Sequence, residues 1–276
     1  MASHRNLIWL ASYPKSGNTW LRAFLTNYFI GGETPLPLSD LGKLTEVDCN
    51  AGKISEIAGR DHRELEAPEI YRARQTYLAS LAKRPKPTLV KTHNARGEVA
   101  GVEVIPVALS KAAVYLVRNP LDMLISYADH MGHGFEQAAS NIADPRNVSP
   151  GSDRQTLHFL GSWSTHVKSW LGGQGISTRI LRYEDMLDHP EKSFASALEV
   201  MGAPLDKARL AKAIDASGFE TLSRQEAEQG FGERSEVQAR FFRSGKKNQW
   251  QDVLPGHVVD RVRADHGEVM GFLKYA

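Results

Sequence analysis

The stretch WLASYPKSGNTWLRAFL, Trp9 to Leu25, decides the fold. Its beginning belongs to the apolar run NLIWLAS (residues 6–12). Such a run reads as a short strand buried on both faces, as in a parallel sheet covered by helices. Its end belongs to TWLRAFLTNYFI, where Trp20, Leu21, Phe24, Leu25 and Tyr28 recur at helical spacing and Gly31-Gly32 stop the helix. Between them lies the turn of residues 13–18. A strand feeding a turn at a helix N-terminus presents unpaired backbone N–H groups and the positive end of the helix dipole. Gly17 lets the backbone curl close to an anion. Ser16, Asn18 and Thr19 add side-chain donors, and Lys15 adds a mobile positive charge. The same pattern also suits an ordinary helix start capped by Asn18 or Ser16. The ATP/GTP loop requires a glycine, four residues and then Gly-Lys-Ser/Thr; here the lysine precedes the glycine, so that loop is excluded.

Working outward, EIYRARQTYLASLAKR reads as a helix ended by Pro85, and PTLVKTH as a second strand with His93 at its carboxyl end. AAVYLVRNP is a third strand, followed by the helix LDMLISYADHM with Pro120 near its first turn. Residues 132–153, rich in Gly, Pro, Asn and Ser, read as a long functional loop, a lid that orders on ligand binding. LHFLGSWSTHVKSWL is a helix and STRILRYEDM a fourth strand; helices then run to the end, interrupted by FFRSGKKNQW. Residues 33–66 are polar and weakly periodic. Strands alternating with helices place the chain in the α/β class: three layers, a central mainly parallel β-sheet flanked by helices. Ligands of such sheets collect beyond the carboxyl ends of the strands. Lys15, His93 and Arg118 all stand there, from three separate parts of the chain.

The 276 residues, 41% hydrophobic, suffice for one large core, and no linker or repeat divides them. We expect a single domain, 1–276, with acceptor-site insertions at about 33–80 and 132–153, whose Tyr71, Tyr77 and Phe135 would shape that site. A net charge of +2 argues against a nucleic-acid binder. The single cysteine, Cys49, allows neither an internal disulfide nor a thiolate metal cluster. The N-terminal apolar run is too short for a signal peptide, and no segment reaches the ~18 apolar residues of a membrane span. A cytoplasmic location is expected. The neighbouring carboxylates Glu184 and Asp185 read as structural, and no metal is expected.

The set of motifs resembles the sulfotransferase family that uses 3′-phosphoadenosine 5′-phosphosulfate (PAPS). YPKSGNTW is similar to its 5′-phosphosulfate loop, with Asn18 replacing a threonine; LVRNPLDMLISY resembles its 3′-phosphate segment, carrying Arg118 and Ser126; KTH resembles the strand bearing its catalytic histidine. RYEDM, SGF and FFRSGKKNQW follow in the same order, so the resemblance runs from residue 7 to about residue 250. It implies a P-loop-NTPase-like sulfotransferase fold and transfer of a sulfuryl group from PAPS to a small-molecule hydroxyl, less readily an amine, leaving the desulfated product PAP. His93 would be the general base, Lys15 would stabilise the leaving oxygen and Lys91 would hold the sulfuryl oxygens. Ser126 would hold Lys15 back until the acceptor binds. Ser16, Gly17, Asn18, Thr19, Trp20, Arg118, Ser126, Tyr183, Ser217, Phe219, Phe242, Arg243, Ser244 and Gly245 would join Lys15 in binding PAPS. Ser244 replaces a lysine of the family, a contact that Lys246 or Lys247 could supply. His130 and His133 are the competing bases, or line the acceptor pocket. The dimer motif KxxxTVxxxE of animal cytosolic relatives is not visible after Trp250, so the oligomeric state is open, a homodimer included. A kinase-like nucleotide phosphotransferase and a non-catalytic PAPS/PAP-binding module are the rival functions. The first lacks the Gly-Lys-Ser/Thr order and an evident acidic magnesium ligand.

Overall fold

A computed structural model describes residues 5–275; residues 1–4, at the start of the stretch weighed as a signal peptide, lie outside the described residues. Five strands form the central sheet: β1 (Leu7–Ser12), β2 (Thr45–Val47), β3 (Thr88–Thr92), β4 (Ser110–Val117) and β5 (Ser177–Arg182). Their order is β2-β3-β1-β4-β5, all parallel. The chain winds to one side of β1 and then to the other, so the switch point lies between β1 and β4. Two short antiparallel ribbons stand outside this sheet, Glu98–Val99 with Val102–Glu103 and Val148–Ser149 with His158–Phe159.

Side chains alternate across each strand. From β1, Ile8 and Leu10 enter a core with α1 (Asn18–Ile30), α6 (Pro190–Met201) and α7 (Lys207–Ala216). Leu7, Trp9 and Ala11 enter the opposite core with α2 (Ala67–Ala82), α3 (Pro120–Met131), α4 (Phe135–Ala143), α5 (Trp163–Leu171) and α8 (Gly256–Phe272). The three expected layers are present. In α1, Leu21, Phe24, Leu25 and Tyr28 are buried. Each apolar side chain of this kind contributes roughly 1.5–3 kcal/mol on burial. Packing therefore fixes this helix more than its propensity does, since it carries no first-turn acid and no side-chain cap.

Two parts of the expected organisation are corrected. The polar stretch 33–66 contains β2, whose three residues pair with β3 at the sheet edge, and the helix Ala51–Ala58. Residues 132–153 are not one loop: α4 buries Ala138, Ala139 and Ile142, and Val148–Ser149 belongs to a ribbon. Tyr71 and Tyr77 are core residues; Tyr71 Oη donates to Asn94 and Tyr77 Oη to Glu46. Phe135 packs against the same core.

Beneath β3 lies a fully buried ion pair, Asp48–Arg74. Asp48 also accepts from Thr92 Oγ1 at 2.7 Å and Asn94 Nδ2 at 3.0 Å, and Arg74 donates to the Val104 carbonyl. Bonded on several sides through Asp48 Oδ2, the pair ties α2 to the segment just before and after His93. Among the described residues, no helix is long and apolar enough to cross a membrane.

Candidate active site

Parallel register brings the functional strand ends to one edge. Ala11 lies beside Thr92, Ser12 beside Leu116, and Val117 beside Arg182. His93 therefore follows β3 next to the end of β1. Its Nδ1 lies 2.8 Å from the Ser12 carbonyl oxygen and 3.2 Å from Ser12 Oγ. A carbonyl only accepts, so Nδ1 carries the proton and Nε2 keeps its lone pair. Burial pushes the His93 pKa well below the ordinary histidine value; the nearby Lys91 and His158 push it further the same way. The ring is neutral at neutral pH, the form a general base needs.

Gly17 caps α1 from the left-handed region, at φ 101°. A Cβ there would come within 2.8 Å of the Tyr183 ring. We expect Gly17→Ala to cost about 1–3 kcal/mol from the backbone alone, and to weaken nucleotide binding because Tyr183 or the turn must shift. Thermal melting and a PAP titration of the variant check this. Lys15 is also left-handed, at φ 67°. Its ammonium lies 3.8 Å from the Phe241 ring centroid and makes no hydrogen bond. Burial lowers its pKa to about 8, a fall that Asp129 and Glu233 oppose and that Arg118 and Lys91 reinforce. Lys15 thus rests on Phe241, and Ser126, the partner implied by the resemblance, does not hold it. Asn18 does not cap α1, and its amide N–H groups are spent within the fold. Its Nδ2 donates to the Leu10 carbonyl at 2.9 Å and to Ser12 Oγ at 3.2 Å, tying the helix start back to β1.

Arg118 directly follows β4 and lines the same cavity as Lys15. Its guanidinium lies 4.4 Å from the Tyr183 ring centroid. It donates to the carbonyls of Lys15 at 3.4 Å and Lys246 at 3.2 Å, joining the two loops. Asn119 caps α3, and Glu184 accepts from the Asn119 N–H and from Tyr275 Oη, both at 2.9 Å, a structural role. Asp122 accepts from the N–H groups of Asn248 and Trp250, at 2.6 and 3.1 Å, and so anchors the end of the 241–250 segment. Gly245, at φ 64°, leaves no room for a Cβ, which would lie 2.3 Å from Phe219. Ser217 donates to the Ala213 carbonyl, leaving only its lone pairs for a ligand.

A cavity of 1590 Å³ collects Lys15, Gly17, Asn18, Thr19, Trp20, Lys91, His93, Arg118, Ser126 and Tyr183 along its inner wall. Ser217, Phe219, Phe242, Arg243, Ser244 and Gly245 line it as well. Ser16 is buried behind the wall, with its hydroxyl unpartnered. Of the two competing bases, His130 borders the cavity with Nδ1 2.7 Å from the Gln238 side-chain oxygen, whereas His133 pairs with Asn141 away from it. Neither Lys246 nor Lys247 borders the cavity; Lys247 is paired with Asp188.

Lining residues outside the expected set include Arg22, Glu233 and His158. Arg22 is one helical turn beyond Thr19 and on the same face, a spacing legible in the sequence. Glu233 carries no comparable signal, because its partners are far away along the chain. His158 packs against His93 with ring centroids 5.9 Å apart. It also groups with Asp48 and Cys49, their ligand-type atoms within 4.8 Å of one another. The geometry does not favour a cation there: Asp48 is neutralised by Arg74, and burial pushes the Cys49 thiol up to about 12, so it stays protonated.

The sulfotransferase-domain family profile matches residues 5–273. Among curated relatives, sulfotransferase 1A1 of Rattus norvegicus is 22% identical over 275 residues, covering 95% of this chain and 83% of its own length. Sulfotransferase 1B1 of Canis lupus familiaris is 26% identical over 233 residues, covering 77% of this chain and 64% of its own length. Among solved structures, mouse sulfotransferase SULT7A1 complexed with PAP superimposes with a TM-score of 0.61 at 18% identity, covering 97% of this chain and 84% of that one. Retinol dehydratase in complex with androsterone and inactive cofactor PAP gives 0.62 at 18% identity, covering 96% and 81%.

Proposed function

The chain belongs to the sulfotransferase family, and from that premise we propose that it moves a sulfuryl group from PAPS to a hydroxyl-bearing small molecule, with His93 as general base. The observation that carries this reading is one cavity uniting a neutral His93, its Nε2 lone pair free, with a row of buried polar atoms that have no partner in the fold. Those atoms are Lys15 Nζ, Trp20 Nε1 and Arg118 Nε, with Ser16 Oγ buried just behind the wall. Buried polar groups are ordinarily paired, so a cluster of unpaired donors around a left-handed glycine supports an anionic ligand. The residues fit PAPS. The turn around Gly17 would hold the 5′-phosphosulfate, Arg118 with Arg243 the 3′-phosphate, and Trp20 and Phe219 the adenine.

PAPS supplies an activated sulfuryl group and a stable leaving phosphate. The chain's own residues do the rest. His93 takes the acceptor's hydroxyl proton at Nε2, while Ser12 holds the ring through Nδ1. Lys15 and the first-turn N–H groups of α1 meet the negative charge that develops on the phosphate side. Lys91, on the strand that positions His93, bears on the sulfuryl side. The rest of the cavity lining mixes polar Asn50, Ser149, Ser152, Gln155 and His158 with apolar Leu38, Leu41, Val47, Tyr127 and Met131. A lining of both kinds suits an acceptor with an apolar body and a hydroxyl directed by a few polar groups.

Calorimetric titration separates a sulfotransferase from a nucleotide phosphotransferase. We expect PAP and PAPS to bind and ATP–Mg to bind far more weakly. Preferential binding of ATP–Mg would overturn the reading; binding of PAPS with no transfer to any acceptor panel would reduce it to a binding module.

A further inference from the structure

Glu233 is the one carboxylate among the described residues that pairs with the inner wall of the cavity. Its Oε1 lies 2.6 Å from Arg22 Nη1 and 3.2 Å from Lys91 Nζ, and its Oε2 accepts from Thr19 Oγ1 at 3.1 Å. Arg22 and Lys91 are almost wholly enclosed, with side-chain exposures of 4% and 6%, while Glu233 keeps 24%. The two cations hold its pKa far below the usual carboxylate range, so the side chain is an anion.

The elements that carry these groups differ. Thr19 and Arg22 are on α1 and Lys91 is on β3, all braced by the core. Glu233 sits in the 230–249 connection, which has neither helix nor strand. The same connection supplies Phe241, on whose ring Lys15 rests. One segment therefore covers three cations of the wall, two through a carboxylate and one through an aromatic face. Two cations against a single carboxylate also leave one positive charge over, and Arg22 Nε has no partner. A ligand bearing more negative charge than a carboxylate is a stronger partner for this set.

We propose that Arg22 joins Thr19 and Lys91 in binding the donor's sulfonate and adjoining phosphate oxygens, and that the Glu233 carboxylate stands in for those oxygens until the donor displaces it. Arg22 is then a donor-binding residue, and Glu233 an internal competitor that withdraws with its segment and releases Lys15 from Phe241. This inference rests on PAPS being the donor.

The test is calorimetric binding of PAPS and PAP to the full chain and to Glu233→Gln, which keeps shape and removes charge. A self-occupied site binds its ligand more weakly by the fraction of time it is free, so the variant should bind both roughly tenfold more tightly. Adding Arg22→Met to Glu233→Gln removes both members of the buried pair together and should reverse that gain. If Glu233→Gln alone melts early, Glu233→Asp, one methylene shorter, should still tighten binding. Equal or weaker binding by folded Glu233 variants would overturn the proposal while leaving the PAPS reading intact. Failure of the unaltered chain to bind PAPS or PAP would overturn both.

Discussion

His93→Asn is expected to lower kcat by about 10²–10⁴-fold, the usual contribution of a positioned general base, with PAP affinity unchanged. Asparagine can still donate to the Ser12 carbonyl, as His93 Nδ1 does at 2.8 Å. The substitution therefore removes the base without abandoning its anchor. The carbonyl of residue 93, which receives His166 Nε2 at 3.1 Å, belongs to the backbone and is kept. A loss seen mainly in PAP affinity would mean a structural role. A rate near that of the unaltered chain would move the base to His130, the other imidazole at the cavity wall. The pH profile adds a second check. Because burial depresses the His93 pKa, the base stays neutral through the region near pH 6.5. An acid limb at that pH is therefore not expected from it.

Lys15→Met is expected to reduce kcat by about 10²–10³-fold, the effect of removing one preorganised group from a developing oxyanion, while weakening PAP binding less. Methionine keeps the apolar stem against Phe241 and loses only the charge. The sign of the pH dependence follows from the depressed lysine pKa. Below about 8 the side chain is charged; as pH rises through that value it loses its proton and its ability to stabilise the leaving group. We expect kcat/KM, which reports the free enzyme, to fall on an alkaline limb near pH 8. That limb should shift upward in kcat, since bound anionic groups favour the charged form. Lys15→Met should lack the limb. An unchanged alkaline limb in the variant, or a loss confined to affinity, would make Lys15 a binding residue only.

The parts of this site that were legible in the sequence are those built from consecutive residues. The strand–turn–helix around Gly17, the strand ending at Lys91–His93 and the Arg118 turn each combine an apolar run with a polar break. Sheet topology then brings them together. What was not legible depends on contacts across the fold. β2 is three residues at an edge, too short for alternation to register. In α4, the small residues Ala138 and Ala139 face the core amid Gly, Pro and Asn, so its apolar face was weak in the sequence. The resemblance implied a Ser126–Lys15 contact, but the 230–249 segment brings Phe241 under the ammonium instead. Glu233 meets Arg22 across 211 positions of sequence. No local pattern marks it as a member of the site, although Arg22 itself follows Thr19 by one turn.

The most direct measurement is a mass-spectrometric screen of hydroxyl-bearing acceptors, polar and apolar, incubated with PAPS, run in parallel on the unaltered chain and on His93→Asn. We expect a sulfate-sized mass gain on an acceptor hydroxyl that requires PAPS, is accompanied by PAP release, and is lost in the variant. Transfer that persists undiminished in His93→Asn, or a PAPS-independent phosphate gain from ATP–Mg, would contradict it.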